Sequence, residues 1–236
     1  VAVGKNALTG NTTGEHNIAI GVSCLDVNTT GSRNLGIGVN TLGANTTGND
    51  NVALGEEALK ANTTADHNTA IGRWALTANT TGDRNIALGN YALYAHTTGS
   101  ACTSLGYASM LSNTTGSHNT AVGRDALRDN TTGTNNTAVG NYALDSNTLS
   151  ANTTGDQNTA MGSHALATST TTDNNTAFGY YAAFATTGTA NAAFGRSCML
   201  NNTTGANNVA VGDATLAQNT TASNNTAVGK SALGAN

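Results

Sequence analysis

A 17-residue period runs through the whole chain and leaves few folds open to it. The unit N-T-A-V-G-x-x-A-L-x-x-N-T-T-G-x-x occurs in fourteen tandem copies, twelve of them complete. Its first position falls at Asn17, Asn34, Asn51, Asn68, Asn85, Cys102, Asn119 and Asn136, then at Asn158, Asn175, Asn191, Asn208 and Asn225. A fixed period of this length is the signature of a solenoid, in which each repeat is one coil stacked on the last. The fold class expected is a parallel β-solenoid, or β-roll, of about fourteen 17-residue coils, all-β or β with short helical turns. At a strand spacing near 4.8 Å such an array would form a rod of roughly 65 Å. Function in a rod lies in length and surface more than in a single pocket.

Repeat phase separates the residue types. Position 5 is glycine in every copy: Gly4, Gly21, Gly38, Gly55, Gly72, Gly89, Gly106, Gly123, Gly140, Gly162, Gly179, Gly195, Gly212 and Gly229, read as structural turn residues. Position 3 is Ala in twelve of fourteen copies, position 4 is always apolar, and position 9 is nearly always Leu. All 22 charged residues fall at positions 6, 7, 10, 11, 16 or 17. N-T-A-V-G therefore reads as a short strand, with positions 4 and 9 expected in the core and the position-3 column reserved for close packing between sheets or chains. N-T-T-G is turn chemistry. Between them, stretches such as Glu56–Ala61 and Arg124–Asp129 have helix-former composition and fit either one helical turn or a second short strand. One coil has only about three apolar side chains to bury, so stability must come from its neighbours.

Composition removes other classes. Charged residues are 9% of the chain and proline is absent, against usual figures of about 25% and about 5%. Low charge argues against disorder. Missing proline fits a backbone whose N–H groups bond from coil to coil. Net charge is −4 with no basic run, which gives no nucleic-acid footprint. No apolar stretch approaches the length of a membrane span in this segment. Cys24, Cys102 and Cys198 are expected to be small core fillers, since the closest pair is about four coils apart, roughly 20 Å, too far for a disulfide. The array is expected to occupy residues 1–236 as one domain and, with no recognisable cap at either end, to be a segment of a longer fibre. The spacing changes to 22 between Asn136 and Asn158, around Ser146–Ser150, and to 16 between Asn175 and Asn191. Both changes are placed near positions 10–12, read as the exposed edge.

Candidate sites are sparse. His16, His67 and His118 share position 17 but stand three coils apart, roughly 14 Å, too far to share a metal ion. Gly36, Gly38 and Gly43 lack dinucleotide-motif spacing, and Ser23-Cys24 and Ser197-Cys198 lack a nucleophile elbow. The expectation is no enzyme, no metal and no cofactor. Ten copies keep an intact N-T-T, at Asn11, Asn28, Asn45, Asn62, Asn79, Asn113, Asn130, Asn152, Asn202 and Asn219. A stacked amide ladder is favoured, because asparagine also recurs at position 1 where no sequon is needed. A column of N-glycans is the alternative. Outward Thr-Thr pairs leave an ice-binding solenoid open. Trp74, Tyr91, Tyr107, Tyr142, Tyr180 and Tyr181 lie at positions 6 and 7. Trp74 and Tyr91, at one phase in adjacent coils, should stack, either as packing against a neighbour or as a sugar-binding surface.

N-T-A-V-G-x-x-A-L, with its asparagines, small residues and invariant glycine, resembles the head repeats of trimeric autotransporter adhesins and is similar to repeat arrays in bacteriophage tail fibres. The resemblance covers the whole chain. It implies an extracellular fibre segment at a cell or virion surface: a structural spacer with an adhesive surface, assembled as a homotrimer or end to end, with surface glycans or a host receptor as partners and no catalytic residues. A glycan-coated single-chain filament and an ice- or carbohydrate-binding solenoid are the alternatives.

Overall fold

The structure, a computed structural model, describes residues 1–144, 154–169 and 171–235. The insertion at 146–150 and Asn152 lie outside the described residues. The chain is an all-parallel β-solenoid with one short strand per coil. It divides into two compact units, Val1–His118 and Asn119–Asn236. The first holds β1 (Ala2–Val3), β2 (Ile18–Ile20), β3 (Leu35–Ile37), β4 (Val52–Leu54), β5 (Thr69–Ile71), β6 (Ile86–Leu88) and β7 (Thr103–Leu105). The second holds β8 (Thr120–Val122), β9 (Thr137–Val139), β10 (Thr159–Met161), β11 (Thr176–Phe178), β12 (Ala192–Phe194), β13 (Val209–Val211) and β14 (Thr226–Val228).

Strands pair position for position: Ala53 lies against Ala70, and Ala70 against Ala87. Irregular spacing does not disturb this register, since Thr137 still meets Thr159 and Thr176 still meets Ala192. The one-residue deletion falls in the N-T-T-G turn, not at positions 10–12. Thr186 takes position 12, Thr187 takes position 13 and donates to the Thr203 carbonyl at 2.5 Å, and position 14 is missing.

Inside and outside of the strand are reversed from the sequence expectation. Position 3 points into the core: Ala53, Ala70, Ala121 and Ala160 are fully buried. Position 4 points out, with Ile71 38% and Val122 37% exposed. In a pleated strand successive side chains alternate, so burying the small Ala turns both of its apolar neighbours outward. The core is consequently thin. It consists mainly of Ala at position 3, Ala or Cys at position 8 and Leu at position 9. Thr41, Ser109 and Thr215 are also buried at position 8 and Met110 and Met199 at position 9, and buried asparagines at positions 1 and 12 close it. Local volumes compensate within it. A Cβ added at Gly36 would sit 2.6 Å from the Cys24 Sγ, so the larger thiol at position 8 accounts for the smaller residue facing it.

Positions 6–11 form neither a helical turn nor a strand. Position 7 and position 9 have positive φ in every coil, and position 17 does so as well, with non-glycine values between 49° and 62°. A left-handed residue inverts the alternation, which is why the consecutive Ala58 and Leu59 are both buried. It also aims successive N–H groups at opposite neighbours. The Tyr91 N–H donates to the Arg73 carbonyl at 3.1 Å in the preceding coil, whereas the Leu59 N–H donates to the Ala75 carbonyl at 3.1 Å in the following one. Left-handed geometry costs an L-residue on the order of 1–2 kcal/mol, so a coil holds this shape only between neighbours that bond to it. At position 5 the conformation is more extreme, with φ of 120–142°, and a Cβ on Gly123 would lie 2.5 Å from the Gly140 carbonyl oxygen. Glycine alone fits that corner.

Candidate functional surface

The asparagine columns are interior. At position 12 the Nδ2 of Asn28, Asn45 and Asn62 donates to the Oδ1 of the preceding coil's asparagine at 2.8 Å each. The same Nδ2 also donates to the position-15 carbonyl of its own coil, as Asn62 does to Ala65 at 3.1 Å. Asn28, Asn45, Asn62, Asn79, Asn113, Asn130, Asn202 and Asn219 are fully buried, and Asn11, in the first coil, is partly so. A glycan on any of the buried amides would require that coil to open. At position 1 the arrangement differs: Asn68 Oδ1 accepts the backbone N–H of Asn85 at 2.9 Å while its Nδ2 donates to the Gly82 carbonyl at 2.9 Å.

His96 stands at position 12 in place of asparagine and is fully buried. Its Nε2 is 2.7 Å from the Gly99 carbonyl and its Nδ1 is 2.8 Å from the Asn113 Nδ2. A carbonyl only accepts and an amide nitrogen only donates, so the ring is neutral with the proton on Nε2. It reproduces an asparagine's bond to the position-15 carbonyl and its acceptance from the following coil. Burial drives its pKa below the usual histidine value, against smaller opposing effects of the Gly99 and Asn113 hydrogen bonds. In the N-T-T pattern His96 is only a gap. The signal that marks it as a member of the column is its repeat phase.

The remaining sequence candidates stay apart. His16, His67 and His118 are exposed at the position-17 corner, and the described residues contain no group of three metal-ligating side chains. All three cysteines are buried. Burial pushes Cys24 and Cys198 up to about 11, which makes them poor nucleophiles. The Thr-Thr pairs divide their duties: position-13 hydroxyls such as Thr29 and Thr46 donate to the next coil's position-13 carbonyl at 2.9 and 3.0 Å. The position-14 partner is exposed, and so are the position-13 residues Thr12, Thr187, Thr203 and Thr220. A shallow depression of about 270 Å³ is lined by Asp26, Asn40, Gly43, Ala44 and Lys60, below the usual volume of about 300–1,000 Å³ for a ligand pocket.

Two surface features are built more deliberately. The first is the outer face of the sheet, made by positions 2 and 4. None of its residues is charged in any coil. In the first unit Ile18, Leu35, Val52 and Ile86 stand at position 2 beside Ile20, Ile37, Leu54 and Leu88 at position 4. In the second unit Thr dominates position 2, while position 4 carries Val122, Val139 and Met161 and the stacked pair Phe178–Phe194, 5.3 Å apart.

The second feature is aromatic. The one Trp and six Tyr of the chain all belong to two clusters on the position 6–10 edge. In the first, Trp74 meets Tyr91 edge-on at 4.9 Å, and Tyr91 contacts Tyr94 and Tyr107 at 5.8 Å each. The Arg73 guanidinium lies 3.7 Å from the Trp74 ring centre and is held by Glu56 at 3.1 Å. In the second, His164 stacks on Tyr181 at 4.8 Å, with Tyr142, Tyr180 and Phe184 around them and Arg124 over Tyr142 at 5.7 Å. Comparison with protein-family models, with curated proteins and with solved structures finds no match for this chain.

Proposed function

We propose that the chain is a structural repeat segment of an extracellular fibre, a spacer that packs against copies of itself through the outer face of its sheet. The observation that carries the reading is the uncharged apolar face formed by positions 2 and 4. Seven strands at about 4.8 Å and three residues at about 3.3 Å make this face roughly 300 Å² in each unit. That is about the size of the largest apolar patch on an ordinary monomer, roughly 300–600 Å², and such patches are often functional. The face is apolar at both positions in β2, β3 and β4 of the first unit and chiefly at position 4 in the second. Charge is confined to the flanking positions 6, 7, 10, 11, 16 and 17, an arrangement that supports an apolar seam with a polar rim. The assignment of both asparagine columns to coil stacking favours a scaffold over a catalyst. Extracellular placement and a three-chain assembly rest on the resemblance to adhesin and tail-fibre repeats.

Light scattering after size exclusion tests the reading. A mass near three times the 23.5 kDa chain is expected, falling to one chain when Ile71 and Val122 are both replaced by Asp. These side chains point outward, so the coils should still form. A monomeric native chain at every concentration would overturn self-packing through this face.

A further inference from the structure

We propose that the two aromatic clusters are binding sites for an extended, uncharged polysaccharide. The inference goes beyond the fibre reading and does not depend on it. The fold does not need these rings. Position 7 takes the same left-handed backbone when it holds Asn40, Glu57 or Ala108, with φ of 52–57°, as when it holds Trp74 at 59° or Tyr91 at 61°. A large ring in that conformation on an exposed edge is unfavourable for folding alone. Yet every Trp and Tyr of a chain that is only 4% aromatic is collected there. Tyr107 and Tyr180 are 51% and 54% exposed.

Ligand class follows from what surrounds the rings. Trp and Tyr offer an apolar plane with a polar tip, which matches the C–H face and hydroxyl rim of a pyranose. Trp74, Tyr91 and Tyr107 belong to three successive coils, so the cluster runs along the stacking direction at about 4.8 Å per coil, comparable to the length of one sugar ring in an extended chain. Arg73 and Glu56 are already paired beside Trp74. They leave hydrogen-bonding capacity at the rim but no net charge, which selects a neutral sugar over an acidic one. Nucleic acid is disfavoured by the same carboxylate and by the net charge of −4.

Trp74 is the only tryptophan, so its fluorescence reports the first site directly. Titration with cellohexaose and with chitohexaose should give a saturable change for at least one of them, and glucose should give none. The Tyr91→Ala/Tyr107→Ala chain should bind at least tenfold more weakly, and calorimetry on native protein should count two sites per chain. Replacing His164 and Tyr181 by Ala should remove one of the two while leaving the Trp74 response intact. Because Ala108 already occupies position 7 and Tyr107, at position 6, is 51% exposed, circular dichroism should show these variants folded. No saturable response to either hexaose would overturn the proposal, as would unchanged affinity in the Tyr91→Ala/Tyr107→Ala chain. A loss of self-association in that variant without sugar binding by the native chain would instead assign the cluster to contact between chains. A monomeric native chain that binds the hexaose would overturn the fibre packing and uphold this site.

Discussion

The two asparagine columns use the same residue at the same burial for different work. At position 1 the carboxamide oxygen accepts a backbone N–H of the next coil, as between Asn34 and Asn51 at 3.0 Å, and Asn158 and Asn175 at 3.0 Å. At position 12 the oxygen accepts no backbone N–H from the next coil: Asn45 accepts the side chain of Asn62, and Asn79 accepts the Gly82 N–H of its own coil at 3.2 Å. Both columns donate to one shared carbonyl at position 15, so Ala65 receives Asn51 at 2.8 Å and Asn62 at 3.1 Å. The difference shows in what each column tolerates. Among the described residues position 1 departs from asparagine only at Cys102, whereas position 12 holds His96, Ser169 and Thr186. Thr186 leaves its buried hydroxyl without a partner. A column tied to the backbone is constrained by every coil above it, while a column tied to itself can be interrupted and resumed.

Alanine substitution separates the two. Asn68→Ala removes the acceptor for the buried Asn85 N–H and the bond to Gly82. An orphaned buried donor plus a lost hydrogen bond should cost about 3 kcal/mol. Gly82 keeps its bond from Asn79 at 3.0 Å, so the loss is concentrated on one N–H. Asn62→Ala should cost about half as much, because it orphans no backbone group: Ala65 still accepts from Asn51 and Asn79 Nδ2 still reaches Gly82. Urea unfolding followed by circular dichroism measures both, and equal losses would abolish the distinction between the columns.

Much of this architecture is legible in the repeat. Period, strand position, the position-5 corner and the outward placement of charge all follow from residue phase, except at Asp125, which is buried and paired with Arg124 at 3.0 Å. The direction of the strand does not, because three residues are too few to display an alternation. Ile-Ala-Ile at Ile18–Ile20 reads equally well with its large residues in or out. Only packing against the small residues of position 8, such as Ala58 and Ala75, decides that the Ala faces inward. The left-handed residues at positions 7, 9 and 17 are hidden for a different reason. Leu59 and Glu57 carry no local preference for positive φ, and hydrogen bonds to the flanking coils impose it. For the aromatic edge, phase alone brings Trp74 and Tyr91 together; Tyr94 and the His164 cluster need the geometry of position 10 and of the 22-residue spacing.

The smallest expected effect tests whether a substituted position-12 residue still behaves as part of its column. His96 must be neutral to accept from Asn113 through Nδ1 and donate to Gly99 through Nε2. A folded-state pKa below the unfolded value, caused first by burial, means that the neutral form is favoured by folding. Its contribution is therefore fully present above the unfolded pKa of about 6.5 and declines as the pH falls through that value toward the depressed one. Protonation would place an N–H against the Asn113 amide and break the ladder at that coil. The melting temperature should thus fall between pH 7 and pH 5 in the native chain, and by less in His96→Asn, which restores the repeat's own residue. His16, His67, His118 and His164 are common to both proteins and cancel in the difference. Parallel pH profiles for the two would show that His96 is a spectator to the column rather than a working rung of it.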